Sequence, residues 1–128
     1  MKYLLDTHIL IWHFEGSEKL SNEIKDSVLF NSKNHILVSI VSLWEIAIKM
    51  NIGKYTFDGG FPAFNKLVKD NEFEVLPIKD EYMDWLFELP LIHRDPFDRL
   101  IIATAKAESM TILTADENIQ KYDVPWVW

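Results

Sequence analysis

The chain has 128 residues, 48% of them hydrophobic and 26% charged, which suits one domain with a hydrophobic core and does not indicate a disordered chain. The formal net charge of −7 argues against a protein that holds nucleic acid by bulk electrostatics, so any such contact would need a local basic patch. The absence of cysteine excludes disulfides and thiolate ligands and fits a reducing compartment. No apolar run is long enough to span a membrane, and the N-terminus reaches Asp6 too early for a signal peptide. We therefore expect a cytoplasmic protein without a membrane segment.

Short apolar runs alternate with amphipathic segments along the whole chain, which we interpret as one domain over residues 1–128. We predict strands at residues 3–5, 36–39, 74–78, 111–114 and 124–127. We predict helices from Thr7, as the capping residue, and at residues 21–29, 41–50, 64–68, 82–86, 96–109 and 117–121, with a loop at residues 55–62. Strands and helices that alternate with short connections predict a layered α/β domain with a mainly parallel sheet.

Four acidic residues lie where these predicted strands and helices meet. Asp6 and Asp116 each follow an apolar strand, and Glu45 and Asp98 lie near the starts of predicted helices. Ligands of parallel sheets bind beyond the carboxyl ends of the strands. If the fold brings the four acids together, they form a pocket that suits a hard cation.

Three of these acids also have an ordinary structural explanation. Acids are common at helix starts. Asp98 follows the Asp95–Pro96 pair, and Asp116 would cap the next helix. Glu45 would form a capping box with Ser42 or pair with Lys49. Asp6 is harder to explain in this way. It is flanked by apolar residues, and a buried carboxylate without compensation costs several kcal/mol or takes up a proton.

Four segments carry the acids: LLDTH at residues 4–8, SIVSLWEIAIK at 39–49, HRDPFDRLIIATA at 93–105 and LTAD at 113–116. Together, and in this order, they resemble the four motifs of PIN-domain ribonucleases. The second and third segments have the form found in VapC toxins of bacterial type II toxin–antitoxin systems. The resemblance implies a three-layer α/β/α fold with a central five-stranded, mainly parallel sheet.

The resemblance also implies roles for the acids. Asp6, Glu45 and Asp98 match the main catalytic, metal-binding acids, and Asp116 matches a fourth, more variable one. Thr114 matches a hydroxyl beside the site. The implied reaction is hydrolysis of an RNA phosphodiester bond with Mg²⁺, or with Mn²⁺ as a possible substitute. From Asp95 we expect mainly helix capping.

Basic residues near these motifs are candidates for substrate binding. Arg94 and Arg99 flank Asp98 and would clamp phosphates, and Lys49 would extend the basic patch. The alternative is that Arg99 pairs with an acid on its own helix and Lys49 pairs with Glu45. The four histidines show no zinc-site spacing, so we expect solvated or packed side chains, with His8 near Asp6: His8, His13, His35 and His93.

The resemblance further implies a homodimer and a cognate antitoxin that covers the site. Both need an exposed apolar patch, and the candidates are Trp12, Phe61, Phe64, Trp126 and Trp128. An aspartate-based phosphatase would need a second acid two residues after Asp6, where this chain has His8. The other alternative is a non-catalytic PIN-like module that binds a partner protein or metal.

Overall fold

The computed structural model describes residues 1–71 and 73–128. Its described strands form one five-stranded sheet in the order β3-β2-β1-β4-β5, with every neighbouring pair parallel. The strands are β1 (Lys2–Leu5), β2 (His35–Ser39), β3 (Glu74–Leu76), β4 (Thr111–Leu113) and β5 (Trp126–Val127). Leu4, at the centre of the sheet, lies opposite Leu37 on one side and Ile112 on the other. The predicted parallel sheet is confirmed.

Helices connect the strands, as the alternating pattern predicts. They are α1 (Thr7–Glu15), α2 (Asn22–Ile24), α3 (Ile40–Asn51), α4 (Gly60–Asp70), α5 (Glu81–Glu88), α6 (Pro96–Glu108) and α7 (Glu117–Gln120), and α2 continues into a π-helical turn, Lys25–Leu29. Within the described ranges, no helix is both long and apolar enough to cross a lipid bilayer.

The core has two layers, one on each face of the sheet. Because side chains alternate along a strand, Tyr3 and Leu5 pack into one hydrophobic cluster and Leu4 packs into the other. The first cluster includes Phe64 of α4, and the second includes Ile101 of α6. Coverage of both faces explains why β1 is an unbroken apolar run, and it confirms the three-layer α/β/α fold.

The predicted apolar patch is only partly at the surface. Phe64 is fully buried, and the rings of Phe14 and Phe57 meet it edge-on, so the prediction that it is exposed was wrong. Its helix turns the apolar side towards the sheet, which is where an amphipathic helix gains most from burial. Trp126 and Trp128 are exposed at 42% and 44%.

The end of α6 stores a small amount of backbone strain. Ser109 has a φ of 54°, in the left-handed region, and its N–H donates to the carbonyl of Ala105. Because glycine has no Cβ to clash there, Ser109→Gly is expected to stabilise the protein by about 0.5–1 kcal/mol in urea denaturation, after the greater flexibility of glycine in the unfolded chain is subtracted. Ser109→Ala is the matched control and should give no such gain. A glycine variant no more stable than wild type would contradict this account of the cap.

Candidate metal centre

Asp6 lies at the carboxyl end of the central strand and begins α1. Its Oδ1 accepts from the backbone N–H groups of His8 at 2.6 Å and Ile9 at 3.3 Å. Its Oδ2 accepts from the hydroxyl of Thr114 at 2.5 Å. The residue is 2% exposed. The prediction that Thr7 caps α1 was wrong: Asp6 is the cap, and Thr7 is the first helical residue.

Glu45 lies in α3 and plays no part in capping that helix. The cap of α3 is Ser39, whose Oγ accepts from the N–H of Val41 at 3.1 Å. Ser42 lies inside the helix, and its hydroxyl is 2.9 Å from that of Thr7. The capping box considered for Ser42 and Glu45 therefore does not form. Helix capping therefore does not account for the carboxylate of Glu45 at this position.

The carboxylate of Glu45 is buried and only half satisfied. Its Oε2 lies 3.0 Å from the Nζ of Lys49, so the pairing considered for these two residues is present. Its Oε1 is buried and has no hydrogen-bond partner among the described residues. A buried carboxylate oxygen without a partner is costly, and a cation beside it would remove that cost.

Asp98 lies in the first turn of α6. The Oδ1 of Asp95 accepts from the N–H groups of Phe97 and Asp98, which confirms the expected capping role of Asp95. The Oδ2 of Asp98 is 2.8 Å from the Nε2 of His93, and that Nε2 is 3.7 Å from the Oδ2 of Asp116. His93, Asp98 and Asp116 each offer a ligand atom, and these atoms lie within 4.8 Å of one another.

His93 lies beside the acids, although the sequence did not predict it there. Its contact with Asp98 spans a spacing of five residues, across the connection before α6, so no helical periodicity reveals it. The only available signal was its place at the start of the HRDPFD segment. Its side chain is packed, at 17% exposure, and it also faces two acids, which the sequence did not indicate.

Thr114 connects Asp6 with Asp116. Its hydroxyl donates to Asp6, and its Oγ1 accepts from the N–H of Asp116 at 3.0 Å. Asp116 in turn caps α7, accepting from the N–H of Asn118 at 2.8 Å. Thr114 therefore lies beside the acids, as expected. Asp116, whose side chain is 25% exposed, is the more open end of this chain of contacts.

The acids act on one another through their charges, and among the described residues the group whose ligand atoms lie within 4.8 Å of one another is His93, Asp98 and Asp116. Burial raises the pKa of Asp98 to about 7, the negative charge of Asp95 adds to the shift, and the His93 hydrogen bond opposes it. The charges of Asp6 and Glu45 raise the pKa of Asp98 further. Burial also raises the pKa of Asp6. Buried carboxylates that repel one another favour protonation or a cation, and oxygen ligands of this kind suit Mg²⁺ or Mn²⁺.

The two arginines are placed differently from the four acids. Arg94 is exposed. The Nη1 of Arg99 donates to the carbonyls of Pro90 and His93 and to the hydroxyl of Tyr122. The alternative pairing of Arg99 with an acid on its own helix is not found within the described ranges. Substrate binding by Arg94, Arg99 and Lys49 stays a prediction.

Comparisons with known proteins agree with this geometry. VapBC2 from Rickettsia felis, bound to a DNA fragment from its promoter, is similar with a TM-score of 0.77 and 18% identity, covering 99% of this chain and 98% of that chain. A toxin–antitoxin complex from Klebsiella pneumoniae matches with a TM-score of 0.67 and 17% identity over 98% and 96% of the two chains. VapBC-5 from Mycobacterium tuberculosis, a member of the VapBC family of toxin–antitoxin systems, matches with a TM-score of 0.64 and 20% identity over 93% and 88%.

At these identities the solved structures show a shared fold. No curated protein matches the chain at a significant level. The family evidence comes from the PIN domain model, which matches residues 3–125 and so spans all four acids. The sheet order and the acids at the strand ends agree with that match. The chain therefore belongs to the PIN domain family.

Proposed function

We propose that this protein is a metal-dependent ribonuclease that serves as the toxin of a toxin–antitoxin pair. The observation that carries the proposal is the buried Oε1 of Glu45, which has no hydrogen-bond partner among the described residues. The charges of Glu45 and Asp6 also raise the pKa of the buried Asp98. Buried carboxylates that repel one another are costly without a counter-charge, and a divalent cation would stabilise them. Membership of the PIN domain family supports the proposal that the cation serves nuclease activity.

The residues divide the work of the proposed site. Asp6, Glu45 and Asp98 would hold the ion, which supplies an activated water and neutralises charge on the phosphate and the leaving oxygen. Thr114 fixes the Oδ2 of Asp6, so that carboxylate needs no reorganisation when it binds. Asp116 is the acid best placed to orient a water molecule, because its side chain is the more open to solvent.

Partner binding has support from the surface of α3. Four large apolar residues recur at intervals of four along α3 and its C-terminal cap, and each is at least 37% exposed: Ile40, Trp44, Ile48 and Ile52. The ring of Phe97, from the first turn of α6, packs edge-on against Trp44. A stripe of this kind suits an apolar partner helix. We propose that a cognate antitoxin or a second copy of the chain covers this stripe. We also propose that the protein acts in the cytoplasm of a bacterium.

The proposal is tested by RNA cleavage with purified protein. We expect end-labelled RNA to be cut with Mg²⁺ or Mn²⁺ and to stay intact with EDTA. Because the attacking group is a water, the products should carry no 2′,3′-cyclic phosphate, and a 2′-deoxy substitution at the cut position should not block cleavage. Cleavage that persists in EDTA, or that yields a cyclic phosphate, would contradict the mechanism.

The non-catalytic alternative has its own outcome in this experiment. A PIN-like module that only docks a partner would bind Mn²⁺ or an antitoxin and would leave every RNA intact. The choice of RNA therefore matters, and total RNA from a bacterial host, with sequencing of the new ends, covers the substrate classes without a prior choice.

A further inference from the structure

The hydroxyl of Tyr122 is a buried junction behind the candidate metal centre. Tyr122 follows α7 and is 4% exposed. Its oxygen accepts from the N–H groups of Ile92 at 3.2 Å and His93 at 2.8 Å, and from the Nη1 of Arg99 at 3.1 Å. Its own proton is directed at the carbonyl of His93, at 3.4 Å. One side chain thus binds both backbone groups of His93.

Arg99, in α6, binds the backbone of the segment that precedes this helix. Its Nη1 donates to the carbonyls of Pro90 at 3.0 Å and His93 at 3.2 Å, and its Nη2 donates to that of Leu89 at 3.5 Å. Residues 90–94 form no helix or strand, so sheet or helix bonds do not fix their backbone. The planar guanidinium, with several fixed donors, can bind successive carbonyls of such a segment.

These contacts converge on the ring of His93. With its backbone bound at both N–H and carbonyl, the ring is held with Nε2 2.8 Å from the Oδ2 of Asp98. We propose that Arg99 and Tyr122 form a clamp that sets the orientation of the Asp98 carboxylate through His93. Arg99 and Tyr122 are then positioning residues for the metal centre. The inference rests on the proposed function, since it assigns to Asp98 the binding of the ion.

The arrangement has a mechanical logic. Asp98 and Arg99 are neighbours on α6. One helix turn therefore carries both the carboxylate and the guanidinium that binds the backbone of His93. Groups that orient a metal-binding side chain typically change metal affinity about 10–100-fold when they are removed. Removal of a clamp residue should therefore weaken metal binding more than a similar loss of stability elsewhere in the protein would.

The test compares two buried tyrosines that each lose one hydroxyl. Tyr122→Phe removes the junction. Tyr82→Phe, the matched control, removes a hydroxyl that donates to Glu108 at 2.8 Å, between α5 and α6. We expect roughly 10-fold weaker Mn²⁺ binding by calorimetry for Tyr122→Phe and unchanged binding for Tyr82→Phe, each measured well below the melting temperature of its variant. Equal Mn²⁺ affinity in the two variants would overturn the clamp.

A second readout needs no metal. In the metal-free protein, we expect a protected NMR signal from the proton shared by the Nε2 of His93 and the Oδ2 of Asp98. The signal should persist in Tyr82→Phe and disappear in Tyr122→Phe and in Arg99→Lys, which keeps the charge without the fork. Persistence in both clamp variants would overturn the inference. Wild-type protein that binds no Mn²⁺ would overturn the proposed function instead, while this signal still decides the clamp.

Discussion

Replacing Asp6 by asparagine is expected to reduce metal-dependent RNA cleavage by roughly 10³-fold while the fold stays intact. An asparagine oxygen can accept the same two N–H bonds at the start of α1, so the cap survives. The negative charge that would hold the ion does not survive. Single-turnover cleavage at saturating Mn²⁺ measures the loss in the chemical step, and calorimetry measures the accompanying loss of Mn²⁺ affinity.

The matched control for this variant is Asp70→Asn. Asp70 is exposed and pairs with Lys66 at 2.6 Å, so the change removes one surface carboxylate and leaves the centre untouched. Its cleavage rate should equal that of wild type. In EDTA, the Asp6→Asn protein should melt at or above the wild-type temperature, because a buried charge has been removed. Wild-type cleavage by Asp6→Asn would contradict the role assigned to that carboxylate.

Stability of the metal-free protein is expected to fall as the pH rises from about 4 to about 7. The pKa of Asp98 is about 7 in the folded protein and has an ordinary value of 3.8. Between these values the folded state holds more protons than the unfolded state, so raising the pH favours unfolding. The stabilising contribution is complete below the lower value and is lost through the upper one. The raised pKa of Asp6 acts with the same sign.

Divalent cations should reverse this dependence. Protons compete with the ion for the same carboxylates, so Mn²⁺ should raise the free energy of unfolding more at about pH 8 than at about pH 5. Urea denaturation with EDTA or with Mn²⁺ at the two pH values gives the four numbers required. Asp98→Asn is the control and should lose most of the pH-dependent part. Equal stabilisation by Mn²⁺ at both pH values would contradict the account.

Features that depend on local sequence were predictable. The apolar run before Asp6 and the one before Asp116 indicate buried parallel strands, and acids after such strands lie at one edge of the sheet. The cap of α1 was harder, because Asp6 and Thr7 are both good capping residues. The structure decides between them through the N–H of Asp6, which donates to Leu113 at 3.1 Å and so keeps Asp6 attached to the sheet.

Features that depend on the path of a connection were not predictable. His93 reaches Asp98 only because residues 89–95 fold back beneath Tyr122, a residue about 30 positions away in the chain. The same fold-back brings backbone carbonyls to Arg99, and nothing in the sequence indicated these contacts. Phosphate binding by Arg99 stays a prediction. The start of α4 was not predictable for a different reason. Gly59 is typical of a loop in sequence, but here it caps the helix with a φ of 85°.

The central claim is that Asp6, Glu45 and Asp98 hold one divalent-cation site. A crystal soaked in Mn²⁺ and measured for anomalous scattering tests it most directly. We predict a peak within coordinating distance, about 2.0–2.3 Å, of carboxylate oxygens from all three residues, with the Oε1 of Glu45 among them. A crystal that shows no peak there at saturating Mn²⁺, or whose peak lies away from Glu45 and Asp6, would contradict the account.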